Sequence, residues 1–249
     1  HQVYLIRLNG SMRKTTEKFL NETEAEIARL IKERMAGLRR ATPKSLAVTA
    51  TLIKDIQKIR REAWLHVRRH WRTTLSQLTD AEIKFLTTAT KASLPVEVDP
   101  KPPKDDAARS TPFHGRTLDE WAKHAEAEDM RRIAQQLRIG LVQGLTAAAI
   151  AAMVVGSAKL KGRNGTTHTT RRRADGITRT AIIHYSNTAR NAFLASNDDL
   201  FDEELYVATL DSRTTPICRS LDGNVYPVGD GPMPPIHFNC RSLRVPRIT

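Results

Sequence analysis

The segment that most constrains this chain is its last 45 residues, Leu205–Thr249, which hold both of its cysteines, Cys218 and Cys240, and place His237 three residues before the second. The surrounding residues are turn formers. Asp222-Gly223 is a hairpin signal ahead of Asn224-Val225-Tyr226, and Pro232, Pro234 and Pro235 stiffen the loop that delivers His237. Leu205–Leu210 reads as a β-type run with Tyr206, Val207 and Thr209, and Ser242–Val245 as a last strand. Soft ligand types in a short, turn-rich stretch point to a stapled small unit rather than an ordinary core segment.

If the chain folds back at Gly223, Cys218, His237 and Cys240 meet. Three states fit that meeting. One is a structural Zn²⁺ held by the two thiolates and the imidazole, with Asp211 the candidate fourth ligand and His184 or water as substitutes. Another is a Cys218–Cys240 disulfide. The last is a pair of reduced thiols packed in a small core, with His237 hydrogen-bonded beside them. Three ligands with an open position also suit a hydrolytic zinc enzyme, but no carboxylate stands at a spacing that marks a base. Walker A, GxSxG, HExxH and dinucleotide fingerprints are all missing from the sequence. Asp211, Arg213, Asp222 and Arg241 are read as turn-holding polar residues, and His184 as a core or interface histidine.

The words LDSRTTPIC, RSLDG and PPIHFNCRS in this segment resemble the C-terminal signature of phage head morphogenesis proteins, the phage Mu F-like minor head proteins related to the minor capsid protein of the Bacillus phage SPP1. RTLDEW at 116–121 and ITRTAIIHYSNTARN at 177–191 extend the likeness to roughly residues 115–245. The resemblance implies a low-copy protein of the tailed-phage head that associates with the portal ring, enters the procapsid, and in some members contacts or travels with DNA. It implies no enzyme. Many members read CxxC and then HxxCRC, whereas Thr215 and Ser242 stand here in place of two of those cysteines, which weakens a four-ligand metal claim. Assembly in a bacterial cytoplasm is reducing, which disfavours the disulfide.

Charge points to the class of partner. The net charge is +13, and residues 1–80 alone carry 17 Lys/Arg against 8 Asp/Glu. Excess positive charge favours a polyanion through counterion release, and nucleic acid is the commonest one. Aromatic residues make up only 5% of the chain, so contact through phosphates is expected rather than base stacking. No window approaches the roughly 18 consecutive apolar residues of a membrane span. Leu137–Val155 comes nearest, but it contains Arg138, Gln143, Thr146 and two glycines and reads as a buried helix pair. The chain opens on His1, as a processed or truncated chain would, without a secretory signal.

The expected fold class is α+β and predominantly α-helical, with an N-terminal helical arm, a helical middle and a small C-terminal β-hairpin unit. Residues 1–95 are the basic arm. Thr15–Leu38 is one helix with acidic early turns and basic late ones, and Thr42-Pro43 opens the next, running from about Lys44 to Leu75. Along that helix Leu52, Ile56, Ile59, Ala63, Val67, Trp71 and Leu75 form an apolar stripe. Lys54, Lys58, Arg61, Arg68 and Arg72 form a basic ridge, a candidate nucleic-acid or portal contact. Leu78-Thr79-Asp80 caps a third short helix, Ala81–Ala92. Residues 96–115 are a linker, with four prolines between Leu94 and Pro103. Residues 116–249 are the head-morphogenesis-like domain, with helices over 116–200 and the β unit over 204–249. Within it Lys159–Arg173 is a Gly-, Thr- and Arg-rich loop whose Arg171, Arg172 and Arg173 are further contact candidates, and a long helix follows from Ile177 to Ala195.

The function expected from the residues and the resemblance together is that of a minor capsid protein of a tailed bacteriophage. It would bind the portal protein inside the head, near the portal vertex, and contact packaged double-stranded DNA. Major capsid or scaffold protein is a further expected partner. It would reside in the host cytoplasm during assembly and have no membrane partner. A metal-dependent nucleic-acid-processing enzyme and a DNA-binding regulator are the alternatives.

Overall fold

Good helix formers at a 3.6-residue period, broken by few glycines and prolines, give this chain its helices. In the computed structural model, which describes residues 1–103 and 107–247, they are α1 (Gln2–Asn21), α2 (Glu24–Arg34), α3 (Pro43–Ser93), α4 (Ala107–Ser110), α5 (Leu118–Val142), α6 (Ala147–Val155), a 3₁₀ turn (Ala158–Leu160), α7 (Thr166–Ala195) and α8 (Pro216–Leu221). Strands β1 (Glu203–Val207), β2 (Val225–Pro227) and β3 (Leu243–Arg247) form one antiparallel sheet in the order β2-β1-β3. Helix accounts for 65% of the described residues, and the sheet lies near the C-terminus, so the fold is predominantly α with a small β unit. Residues 104–106 of the expected linker and the last two residues of the expected C-terminal domain lie outside the described residues. No helix among the described residues is long and apolar enough to cross a membrane.

Two compact units emerge, and α1, α3, α5 and α7 contribute residues to both. The helical unit comprises Gly10–His70 and Glu120–Asp175. Its core joins Ile27 and Ile31 of α2, Leu52 and Ile56 of α3, Ile133, Leu137 and Leu141 of α5, and Ile150 and Val154 of α6. The ion pair of Arg60 and Asp129 is buried in the same unit. The other unit comprises His1–Asn9, Trp71–Asp119 and Gly176–Thr249. In it Ile83, Leu86, Val98, Ala189, Phe193, Leu194 and Phe201 form one cluster, and Tyr206, Ala208, Cys218 and Cys240 another.

Several elements differ from the sequence reading. The helices expected at 44–75 and 81–92 are one continuous α3: no proline or glycine follows Pro43 before its end, and the Thr79 hydroxyl bonds back to the Leu75 carbonyl at 3.3 Å rather than capping a new start. Of the apolar stripe on α3, Leu52, Ile56, Ala63, Val67, Trp71 and Leu75 are buried. Thr15–Leu38 is divided between α1 and α2, and α1 begins as early as Gln2. Most of the expected loop at 159–173 is helix, because α7 starts at Thr166. Tertiary contacts outweigh the low helix propensity of its threonines: Thr167 and Thr170 are buried, and the Thr170 hydroxyl donates to Asp129 Oδ1 at 2.7 Å. The proline-rich stretch is anchored within its own unit. Val98 is buried, and the Asn197 side chain accepts from the Asp99 amide at 2.7 Å and donates to its carbonyl at 2.9 Å.

A candidate metal centre in the C-terminal segment

The sheet and α8 bring the thiols together. Thr215 caps α8, its hydroxyl accepting from the Cys218 amide at 3.4 Å, and Pro216 occupies the first turn, where a missing N–H costs nothing. Cys218 therefore sits one turn into a short helix, buried against Tyr206 of β1. The return path is held by main-chain bonds. Tyr206 N–H donates to Asn224 O and Gly223 N–H to Tyr206 O, each at 2.9 Å, while Asp222 Oδ1 accepts from the Ala208 amide at 2.7 Å. A tight turn then carries His237 to Cys240, whose amide donates to the His237 carbonyl at 3.1 Å, just ahead of β3.

His237 Nε2 lies 3.1 Å from Cys218 Sγ, and the two sulfurs are 3.9 Å apart. His237 Nδ1 is 2.7 Å from the Phe238 carbonyl, to which only an N–H can bond, so Nε2 keeps its lone pair toward the sulfur. One ligand atom from each of Cys218, His237 and Cys240 falls within 4.8 Å of the others. Two thiolates and one imidazole of fixed tautomer are a zinc-type donor set. The sulfur separation matches the roughly 3.8 Å edge of a tetrahedron with Zn–S bonds of about 2.3 Å. The residues present thus supply three of the four ligands of a tetrahedral Zn²⁺, which would tie α8 to the approach to β3.

The two positions where this sequence departs from the family signature lie at the same centre. Thr215 Oγ1 is 3.0 Å from His237 Nε2, and the buried Ser242 hydroxyl bonds to the sulfurs of Cys218 and Cys240. Hydroxyls therefore stand beside the thiols. Their effect is electrostatic. Burial pushes the Cys218 thiol up, but hydrogen bonds from the Ser242, Thr215 and Tyr206 hydroxyls are among those that outweigh it and bring the pKa down to about 7. Burial raises Cys240, and the neighbouring Cys218 adds to that. One proton thus leaves the pair far more easily than the other.

Asp211 is not brought into this group. Its carboxylate accepts two bonds of 2.6 Å from Arg241 and one of 2.8 Å from the Arg213 amide, and the Arg241 bonds hold its pKa well below the usual carboxylate range. His184 is buried elsewhere in the same unit, its ring Nε2 2.9 Å from the Ala108 carbonyl.

The basic candidates separate by environment. Lys54, Lys58 and Arg61 are exposed on α3, as is Arg72, which pairs with Asp119 at 2.6 Å. Arg68 is half-buried and pairs with Glu126. Arg171 is buried against Glu24 and Asn21, and Arg173 lies 2.9 Å from His124 Nε2, so Arg172 is the exposed member of that trio. Sequence reasoning missed α8 and the roles of Thr215, Ser242 and Tyr206 at the thiols. The Thr-Pro pair at 215–216 was a legible helix start.

No curated protein and no solved structure matches this chain. Residues 131–244 match the family described as Phage Mu protein F like protein, a span that takes in α6, α7, the sheet's first two strands and the whole Cys/His centre. That is the phage head morphogenesis family the sequence resembles, and the similarity covers residues 131–244 of this chain.

Proposed function

We propose that this chain is a minor head protein of a tailed bacteriophage that docks on the portal protein inside the capsid, near the portal vertex, and lies against packaged double-stranded DNA. The observation that carries the reading is the match of residues 131–244 to the Phage Mu protein F like family. Such a protein works by binding, and the Cys/His centre then serves to hold the C-terminal segment in shape, with Zn²⁺ or through its reduced thiols. Exposed Lys54, Lys58 and Arg61 on α3 support the contact with DNA, since three cations at helical spacing can follow a phosphate backbone without reading bases. Major capsid or scaffold protein is a further partner during assembly in the host cytoplasm.

The test is co-sedimentation of the full chain with portal rings of the phage that encodes it, at moderate salt. Residues 1–95 contribute to both compact units, so surface variants serve better than a truncation. Co-sedimentation of the parent chain supports portal docking, and its loss in a Lys54→Glu, Lys58→Glu, Arg61→Glu variant assigns docking to α3. Failure of both proteins to sediment with the rings removes the portal from the reading.

A further inference from the structure

The unit that holds the Cys/His centre also contains a cavity of about 330 Å³. This is at the lower end of the roughly 300–1,000 Å³ typical of ligand pockets. Part of its lining is apolar, with Leu5 and Ile6 of α1 and Ile182 and Ile183 of α7. Part is cationic, with Arg179, Arg213 and Arg241 in the wall, and no Asp or Glu is among the described residues that line it. Asp211 binds both Arg213 and Arg241 from outside that lining, so one carboxylate serves two of the three guanidiniums. Two amide side chains of the wall carry buried atoms without a partner, the donor Gln2 Nε2 and the acceptor Asn9 Oδ1.

We propose that this cavity is a peptide-docking slot, which takes a short extended segment of a partner protein with one large apolar side chain set between carboxylates. The apolar wall buries the side chain, and each square ångström so removed from water contributes about 25 cal/mol. The arginines receive the flanking carboxylates, Arg213 foremost because its side chain is 75% exposed. Gln2 Nε2 and Asn9 Oδ1 supply a donor and an acceptor for the carbonyl and N–H of an extended backbone, which removes the cost of leaving them unpaired. A nucleic-acid strand satisfies the arginines but leaves the four aliphatic residues uncovered, so the mixed wall favours an acidic peptide. α1 extends the apolar surface outward through exposed Val3 and Tyr4. The proposal stands independently of the head-protein reading.

The test uses the full chain and fluorescein-labelled nine-residue peptides in which Asp and Glu flank a central Leu, Phe or Met, with Lys-flanked peptides of the same core as controls. Fluorescence polarisation at physiological salt is expected to show the acidic peptides binding more than about tenfold tighter than the Lys controls. Arg213→Glu and Ile6→Glu, both at exposed positions, are each expected to weaken binding about tenfold or more with an unchanged unfolding midpoint. Arg138→Glu, an exposed charge reversal in the helical unit, serves as the control for net charge and leaves binding as it was. In the unmutated chain the acidic peptide shifts the methyl resonances of Ile182 and Ile183. Equal binding of acidic and Lys peptides, no binding of either, equal loss in Arg138→Glu, methyl shifts elsewhere, or displacement by a short single-stranded oligonucleotide of the same charge would each overturn the proposal.

Discussion

Arg60 and Asp129 form an ion pair with both side chains wholly removed from solvent, Nη2 lying 2.5 Å and Nε 2.7 Å from Oδ2. Trp64 Nε1 donates to the same oxygen at 3.2 Å and Thr170 to Oδ1 at 2.7 Å, while Arg60 Nη1 reaches the Leu20 carbonyl and the Thr23 hydroxyl. The pair therefore links α1, α3, α5 and α7 inside the helical unit. Removing one partner strands a buried charge, so Asp129→Ala is expected to destabilise by about 3–5 kcal/mol. Replacing both, as Arg60→Met with Asp129→Leu, is expected to recover most of that loss. Guanidinium denaturation followed by tryptophan fluorescence compares the three, and an Asp129→Ala midpoint equal to the parent's would show that the pair contributes nothing.

Close backbone approach sets a second expectation in the same unit. A Cβ built on Gly165 falls 2.2 Å from the Gly156 backbone nitrogen, whereas one on Gly140 meets only the Ile150 side chain, at 2.4 Å. A side chain can rotate away and a backbone cannot. Gly140→Ala is therefore expected to cost about 1–3 kcal/mol through overpacking of α5 on α6. Gly165→Ala is expected to cost more, and to displace the 156–165 loop. Thermal unfolding of the two variants ranks them, and the reverse order would contradict the close approach.

The division between what the sequence disclosed and what it hid follows the range of the interactions. Thr146, a threonine ahead of an alanine-rich run, caps α6, its hydroxyl accepting from the Ala149 amide at 3.0 Å, and the three-four spacing of Leu52, Ile56 and Val67 marked the buried face of α3. Both signals are local. The meeting of Cys218, His237 and Cys240 was legible because one hairpin separates them. Glu82 with Arg190 and Glu204 with Arg244 were not, since the partners lie 108 and 40 residues apart, and nothing local distinguishes Arg190 from the exposed arginines of the chain. The same limit applies to Arg171. A run of three arginines reads as a surface patch until Glu24, 147 residues away, takes one of them.

The thiols are expected to titrate apart. In metal-free protein, ultraviolet thiolate absorbance should rise in two steps, one near pH 7 from Cys218 and one above the ordinary thiol range from Cys240. Replacing Ser242 by Ala removes a hydrogen bond that favours the Cys218 thiolate and moves the first step upward. A single step for both thiols at an ordinary pKa would show that the centre does not differentiate them. Addition of Co²⁺ in place of Zn²⁺ is expected to give a sulfur-to-cobalt charge-transfer band that His237→Ala and Cys240→Ser each weaken or abolish.

Asp211 offers an acid-range test of the turn that adjoins this centre. Its folded pKa is depressed, first by the Arg241 hydrogen bonds and then by the Arg213 amide. The stabilisation it provides is fully present above the unfolded carboxylate value, near 3.9, and is lost only as pH falls through the lower folded value. The Asp211 side-chain carbon resonance is therefore expected to stay in its ionised position at pH 3. In Arg241→Gln it should titrate closer to an ordinary aspartate. Titration of the parent resonance above pH 3.5 would mean that the guanidinium does not hold the carboxylate as described.

DNA contact through α3 predicts a salt dependence that can be counted. Each phosphate neutralised adds about 0.9 to the magnitude of the slope of log K against log salt, so losing three contacts should lower it by about 2.7. Lys54→Glu, Lys58→Glu, Arg61→Glu is the variant that removes them. All three residues are exposed on α3, so the fold should be unaffected. Affinity for random and selected duplexes should be equal in the parent chain, since phosphates carry no sequence information. A slope unchanged in the variant would move any DNA contact off α3. A specificity ratio above about 10³ would indicate a regulator that reads bases instead of a head protein lying against packaged DNA.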